Sequence, residues 1–268
     1  VHFRNAVRLD SGNNQYAVFL VNLLLAGYRY DEANTELCRQ LGLDPGNLRR
    51  GWLLALNSFL ASGSTREVEQ FLSELSDEQS VSSAELGYRR GWAMRAGNFA
   101  EYERLREVRA NSTKKAAPSR GRSFTVALFL AAQRNLAAAR AELGDTDALR
   151  SARDREPATP DRWSELAMWE ALLGHKDEAL RCARKAVELK PESLEPVDGP
   201  SYGVTLAFVY AWIGDKDSAI AEYARLLRVP YSGLNVPIMK RHPAYAPLRG
   251  DPRFEALLND PKNNAPLF

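Results

Sequence analysis

Apolar runs along this chain are broken by short polar segments, and the breaks share one composition. A glycine comes first, a few polar residues follow, and a small or apolar residue closes the segment. The stretches Gly27–Ala33, Gly63–Val68, Gly97–Tyr102, Gly144–Leu149, Gly174–Ala179 and Gly214–Ala219 all read this way. The glycines lie 30 to 47 residues apart. Apolar residues on both sides recur at helical spacing, so each break predicts a helical hairpin. Glycine tolerates the left-handed backbone of a helix end, and Asp, Asn, Ser or Thr just after it suits the start of the next helix. A lone hairpin cannot bury its apolar face, so neighbouring hairpins must stack.

A second mark recurs with the first. Leu9-Asp10-Ser11-Gly12-Asn13 is matched by Leu43-Asp44-Pro45-Gly46-Asn47, an offset of 34 residues. Ala186–Pro191 resembles Ala6–Ser11. Pro or Ser here ends a second helix and turns the chain into the next hairpin. The fifth unit reads Trp163-x-x-Leu166-Ala167, then Gly174, Ala179, Ala183 and Pro191. The sixth reads Leu206-Ala207-x-x-Tyr210, then Gly214, Ala219, Tyr223 and Pro230, and Trp52 of the second unit takes the place of Trp163.

These residues resemble the tetratricopeptide repeat, whose Trp-x-x-Leu-Gly-x-x-Tyr, Ala-x-x-x-Phe and Pro marks span about 34 residues. The resemblance covers most of residues 1–230. It implies an all-α fold, a right-handed α-solenoid of about six stacked hairpins over residues 14–230. Residues 1–13 are expected to be the second helix of a truncated hairpin, as in a segment cut from a longer array. Residues 231–268 are expected to be a C-terminal cap and tail. There Asp251 suits an N-cap and Pro252 a first helical position, and Phe254, Leu257 and Leu258 can seat a short helix on the last hairpin. Two units fit less well. Arg89 and Arg90 stand where small buried residues belong, which suggests a register slip that brings Gly91 into the close-packed place. In the fourth unit Gln133 aligns with Trp163.

The resemblance also bears on function. In this family first helices line a concave groove that takes peptides, and in this register Asn22, Asn57, Met168, Val204, Phe208 and Trp212 face it. Asn22 and Asn57 hold equivalent places and could bond an extended peptide backbone. Trp52 and Trp163 hold a packing position and are expected in the core. Family members that clamp a terminal carboxylate use Lys, Asn and Arg at positions that here read Val18, Asn22, Leu54, Ala84 and Tyr88, so that activity is not expected. The segment Pro247–Leu258 resembles one that closes repeat arrays in large bacterial signalling proteins: serine/threonine kinases, adenylate cyclases and winged-helix regulators. The expected role is a protein- or peptide-binding scaffold or regulatory arm, not an enzyme.

Composition narrows the alternatives. Of 268 residues 45% are hydrophobic and 26% charged, ordinary for a globular chain. The net charge of +2 argues against a general attraction to nucleic acid or membrane. A local basic stretch, Arg104 to Arg122, is the one place where an anionic or nucleic-acid partner could bind. A small ligand held in the groove of a sensory domain is the other alternative. No apolar run reaches the ~20 residues of a membrane span. A cytoplasmic location fits, and a span upstream would make it periplasmic. Phosphate-loop, zinc-protease and Cys-x-x-Cys motifs are absent, so no cofactor or metal is implied. His2, His175 and His242 read as solvent-exposed polar residues, Asp145, Asp147, Asp215 and Asp217 as helix caps, and Cys38 and Cys182 as buried free thiols.

Overall fold

The computed structural model describes residues 2–10, 14–75, 82–112, 123–144, 147, 151 and 159–268, and these form helices, turns and irregular chain without a strand. Fifteen α-helices are present among the described residues. Helix α1 (His2–Leu9) packs on α2 (Asn14–Ala26). The helices then pack in consecutive pairs: α2 with α3 (Tyr30–Leu43), α4 (Leu48–Ser62) with α5 (Arg66–Ser73), and α6 (Ser83–Arg95) with α7 (Phe99–Ser112). Three more pairs follow: α8 (Phe124–Ala132) with α9 (Leu136–Leu143), α10 (Pro160–Leu173) with α11 (Lys176–Leu189), and α12 (Gly199–Ile213) with α13 (Lys216–Leu226). Beyond α13 come α14 (Val236–Met239), a 3₁₀ turn at Pro243–Leu248, α15 (Pro252–Asn259) and a second 3₁₀ turn at Pro261–Asn264. Among the described residues no helix is long and apolar enough to cross a membrane.

Each pair is closed by one left-handed residue: Tyr28, Gly63, Gly97, Arg134, Gly174 and Gly214, with φ between 58° and 97°. They recur every 34 to 40 residues. In five of the six turns this residue donates its amide to the carbonyl three residues back, and the next residue donates to the carbonyl five before itself. That pair of bonds satisfies the orphan carbonyls of the helix end. The next residue then opens the second helix: Asn98, Asn135 and Asp215 accept the amides of Glu101, Ala138 and Ser218. One residue therefore ends one helix and caps another, which keeps each connection short.

The residue five places after each left-handed one is buried. It is Ala33, Val68, Tyr102, Ala139, Ala179 or Ala219. Seven places before, the fourth, fifth and sixth pairs carry Ala127, Ala167 and Ala207, each fully buried. Small residues on both partners let the helix axes approach closely. The third pair swaps this arrangement. Arg90 stands seven places before Gly97, and its guanidinium lies over the Tyr102 ring at 5.2 Å and donates to the Tyr102 hydroxyl at 3.1 Å. A large pair replaces a small one, so Arg89 and Arg90 require no register slip.

Two of the glycine assignments move. In the first pair the left-handed residue is Tyr28, one place after Gly27. In the fourth pair it is Arg134, and Gly144 ends α9 instead. Gln133 consequently belongs to a turn and does not share the position of Trp163. The Asp145 cap expected there lies outside the described residues.

Trp52 is buried against Phe71 and Tyr88. Trp163 is only half-buried, with the Arg181 guanidinium 5.2 Å from its ring centre. Full burial of a Trp would make Trp163→Ala cost ~3–5 kcal/mol. At half-burial the expected loss is about 2–3 kcal/mol by chemical denaturation, and Trp52→Ala should cost more. Cys182 is buried as expected, but Cys38 is exposed.

Candidate functional site: a helix face holding the C-terminal segment

The first helices of the second to sixth pairs line one cavity, and the chain's own C-terminal segment forms its other wall. Leaving α13, the chain crosses to α4, where α14 packs. The Pro243–Leu248 turn packs against α8 and α12. The chain returns to α13, where α15 seats Phe254 and Leu258 in a cluster with Tyr223, Leu226 and Tyr245. Asp251 accepts the Arg253 amide and Pro252 opens the helix, as the sequence leads one to expect. The cap is therefore present on the last pair. The segment also reaches much further, because Leu267 N–H donates to Gly27 O at 3.1 Å.

The bonds that hold this segment are mostly between side chains and backbone. Tyr28 Oη donates to Leu234 O at 3.0 Å, and Trp212 Nε1 donates to Ala244 O at 3.0 Å. Asn264 Nδ2 donates to Leu60 O at 3.0 Å, and Tyr30 Oη donates to Asn264 Oδ1 at 3.3 Å. Tyr28 has two roles here, ending α2 and gripping residues 206 positions away in sequence. At Gly97 the approach is between backbones: a Cβ there would lie 2.6 Å from Arg241 O.

This contact yields a paired test. Gly97 and Gly63 have similar φ, 71° and 75°, but nothing lies within 4 Å of a Cβ at Gly63. Gly63→Ala should then cost only the left-handed strain, about 1–2 kcal/mol. Gly97→Ala carries the same strain and also pushes on the Arg241 backbone, so about 3 kcal/mol is expected in thermal or chemical unfolding. Equal losses at the two positions would mean that the C-terminal segment does not press on this turn.

The six residues assigned to a groove divide into two sets. Met168, Val204 and Phe208 line a cavity of about 330 Å³ between the first helices and the C-terminal segment. Trp212 lies against Phe208, ring centres 5.8 Å apart and tilted, and is tied to the segment through Ala244. Asn57 and Asn22 do not join them. Asn57 is 1% exposed, and its amide donates to Tyr30 O at 2.8 Å and to Asn34 Oδ1 at 2.6 Å, so it fastens α4 to α3 and has no donor left for a partner. Asn22 is exposed on α2 and does not line the cavity.

The sequence missed Leu128, Phe124, Arg95 and His242, all of which line the cavity. Leu128 stands six places before Arg134, as Met168 and Phe208 stand before Gly174 and Gly214. The displaced fourth turn concealed that equivalence. Arg95 stands two places before Gly97, the place of Trp212 in the sixth pair. His242 is not a free surface group. Its Nδ1 accepts the Ala244 amide at 3.1 Å, and its ring meets Tyr245 edge-on at 6.1 Å between centres. Burial, with Arg95 and Arg249 nearby, lowers its pKa to about 4, so the imidazole is neutral at pH 7. Burial also lowers the Arg95 pKa.

The other candidate chemistry is structural. His175 Nδ1 lies 2.6 Å from Oε2 of the fully buried Glu170, at the turn between α10 and α11. In the basic stretch, Arg104 pairs with Glu101 at 2.7 Å, and Arg106 reaches Glu103 at 3.4 Å and Glu142 at 3.6 Å. Lys114, Lys115, Arg120 and Arg122 lie outside the described residues. No group of three potential metal ligands occurs among the described residues. Compared with known proteins, the chain matches no family model and no curated sequence.

Proposed function

We propose that this chain is a polypeptide-binding module, a right-handed α-solenoid of the tetratricopeptide type whose inner face holds its own C-terminal segment. The observation that carries this reading is the kind of contact made on that face. Tyr28, Trp212 and Leu60 engage main-chain or amide groups of the segment at Leu234, Ala244 and Asn264. Side-chain bonds to main-chain and amide groups are a means by which a rigid scaffold binds a polypeptide segment. Segment and face are linked covalently, so the effective concentration is high and a partner in trans must displace it or bind beside it. The resemblance of Pro247–Leu258 to closing segments of bacterial signalling proteins extends the proposal to a regulatory arm of such a protein.

The test uses the last stretch of the segment. Removing residues 261–268 leaves α15 in place and frees the contacts at Gly27, Tyr30 and Leu60. A synthetic peptide of residues 260–268 is then expected to bind the shortened chain and not the intact one, as read by fluorescence anisotropy. Binding to neither form would remove the peptide-recognition reading.

A further inference from the structure

The cavity under the C-terminal segment has an uneven balance of donors and acceptors. Its walls are mainly apolar, with Phe124, Leu128, Met168 and Phe208 on the helix side. No Asp or Glu lines it. Three polar groups on its wall have donors that no acceptor among the described residues meets. Arg95 spends one N–H on Gly91 O at 3.0 Å, within its own helix, and forms no ion pair. His242 uses Nδ1 as an acceptor, which places its ring proton on Nε2, and Nε2 makes no bond. Asn235, 2% exposed, accepts the Ile238 amide through Oδ1 and leaves its NH₂ unused. A partly buried guanidinium without a counter-charge is unfavourable, and a ligand that supplies the charge relieves it.

We propose that this cavity binds a small apolar carboxylate, with its anionic end held by Arg95 and the Nε2–H of His242 and its hydrocarbon end among Phe124, Leu128, Met168 and Phe208. The volume, about 330 Å³, is at the lower end of ligand pockets and suits a molecule the size of an arylpropionate. Arginine favours carboxylate over a neutral amide of the same shape, because two parallel N–H···O bonds form with a charged acceptor. Part of the wall is C-terminal segment, from Ser232 to Tyr245, so an occupied cavity holds that segment down. The cavity shares Leu60 with the Asn264 contact, but Arg95 and His242 make no hydrogen bond to residues 261–268, so ligand binding here and peptide binding to the shortened chain are read separately.

Calorimetric titration of the full chain with 3-phenylpropionate and with 3-phenylpropanamide tests it. The acid should bind roughly tenfold or more tightly than the amide. Arg95→Gln should abolish that preference and leave amide binding unchanged. Its melting temperature should equal or exceed that of the parent, because a costly buried charge is removed. His242→Leu should weaken the acid selectively, and His242→Gln, which keeps a donor, should restore part of the loss. Equal binding of acid and amide, absence of binding by both, or an acid preference that survives Arg95→Gln would overturn the proposal.

Discussion

Raising the pH from about 10 to 12 is expected to unfold this chain cooperatively, with tyrosinate absorbance and far-ultraviolet ellipticity changing together. The cause is a set of buried tyrosines. Burial pushes the Tyr28 pKa up to about 12, against a small opposing effect of Arg228. Burial also raises the Tyr30, Tyr223 and Tyr245 pKa values. A tyrosine is neutral when protonated, so a folded pKa above the unfolded value means that the folded state keeps its proton longer. The stabilising contribution is complete below pH ~10 and is lost as pH rises through the folded pKa. For Tyr28 a shift of about two units corresponds to about 3 kcal/mol. Tyr30, Tyr223 and Tyr245 act in the same direction, against a net stability of ~5–15 kcal/mol typical of a domain. Tyr28→Phe should move the transition to higher pH by removing one ionisation, at the cost of the bond to Leu234 O. A smooth tyrosinate wave near pH ~10 with helix content retained would show that these hydroxyls reach solvent in the folded state.

Much of the hairpin order is legible in the sequence, because a helix end has few solutions. Gly63, Gly97, Gly174 and Gly214 mark turns at the positions the left-handed backbone requires. The two displaced turns use residues with side chains in that conformation. Tyr28 bears the cost because its ring is buried and its hydroxyl bonded, which no local rule records. Arg134 carries no comparable sequence mark, so the glycine at 144 took its place in the pattern. Contacts of the C-terminal segment are less legible still. They join residues some 200 positions apart, and a solenoid pattern describes only neighbours. Asp251-Pro252 with Phe254 and Leu258 indicated a helix seated on the last pair. Nothing in the periodicity indicated that Leu267 would return to Gly27, or that Asn57 would turn its amide toward Tyr30. The assigned residues that line the cavity, Met168, Val204 and Phe208, belong to pairs whose turns are glycines in register.

Phe254→Ala is expected to cost about 3–5 kcal/mol in chemical denaturation. Phe254 is 0% exposed, and its ring stacks at 6.4 Å on Tyr245, which in turn lies 5.2 Å from Tyr223. This column joins α13, the Pro243–Leu248 turn and α15. Truncation leaves a cavity that α15, held at one end by Asp251 and Pro252, can only partly fill. The consequences should extend along the chain. Once α15 loosens, residues 261–268 lose their anchor, and the Asn264 and Leu267 contacts with the first two pairs weaken with it. Hydrogen exchange should therefore rise at Leu267 as well as in α15, and the shortened-chain peptide should begin to bind the otherwise intact variant. Phe268→Ala is the control. That ring is 72% exposed, and its loss should change stability by no more than about 0.5 kcal/mol. If Phe254→Ala raises exchange only within α15 and leaves Leu267 protected, the C-terminal stretch is held by the first pairs alone, and α15 and residues 261–268 are anchored separately.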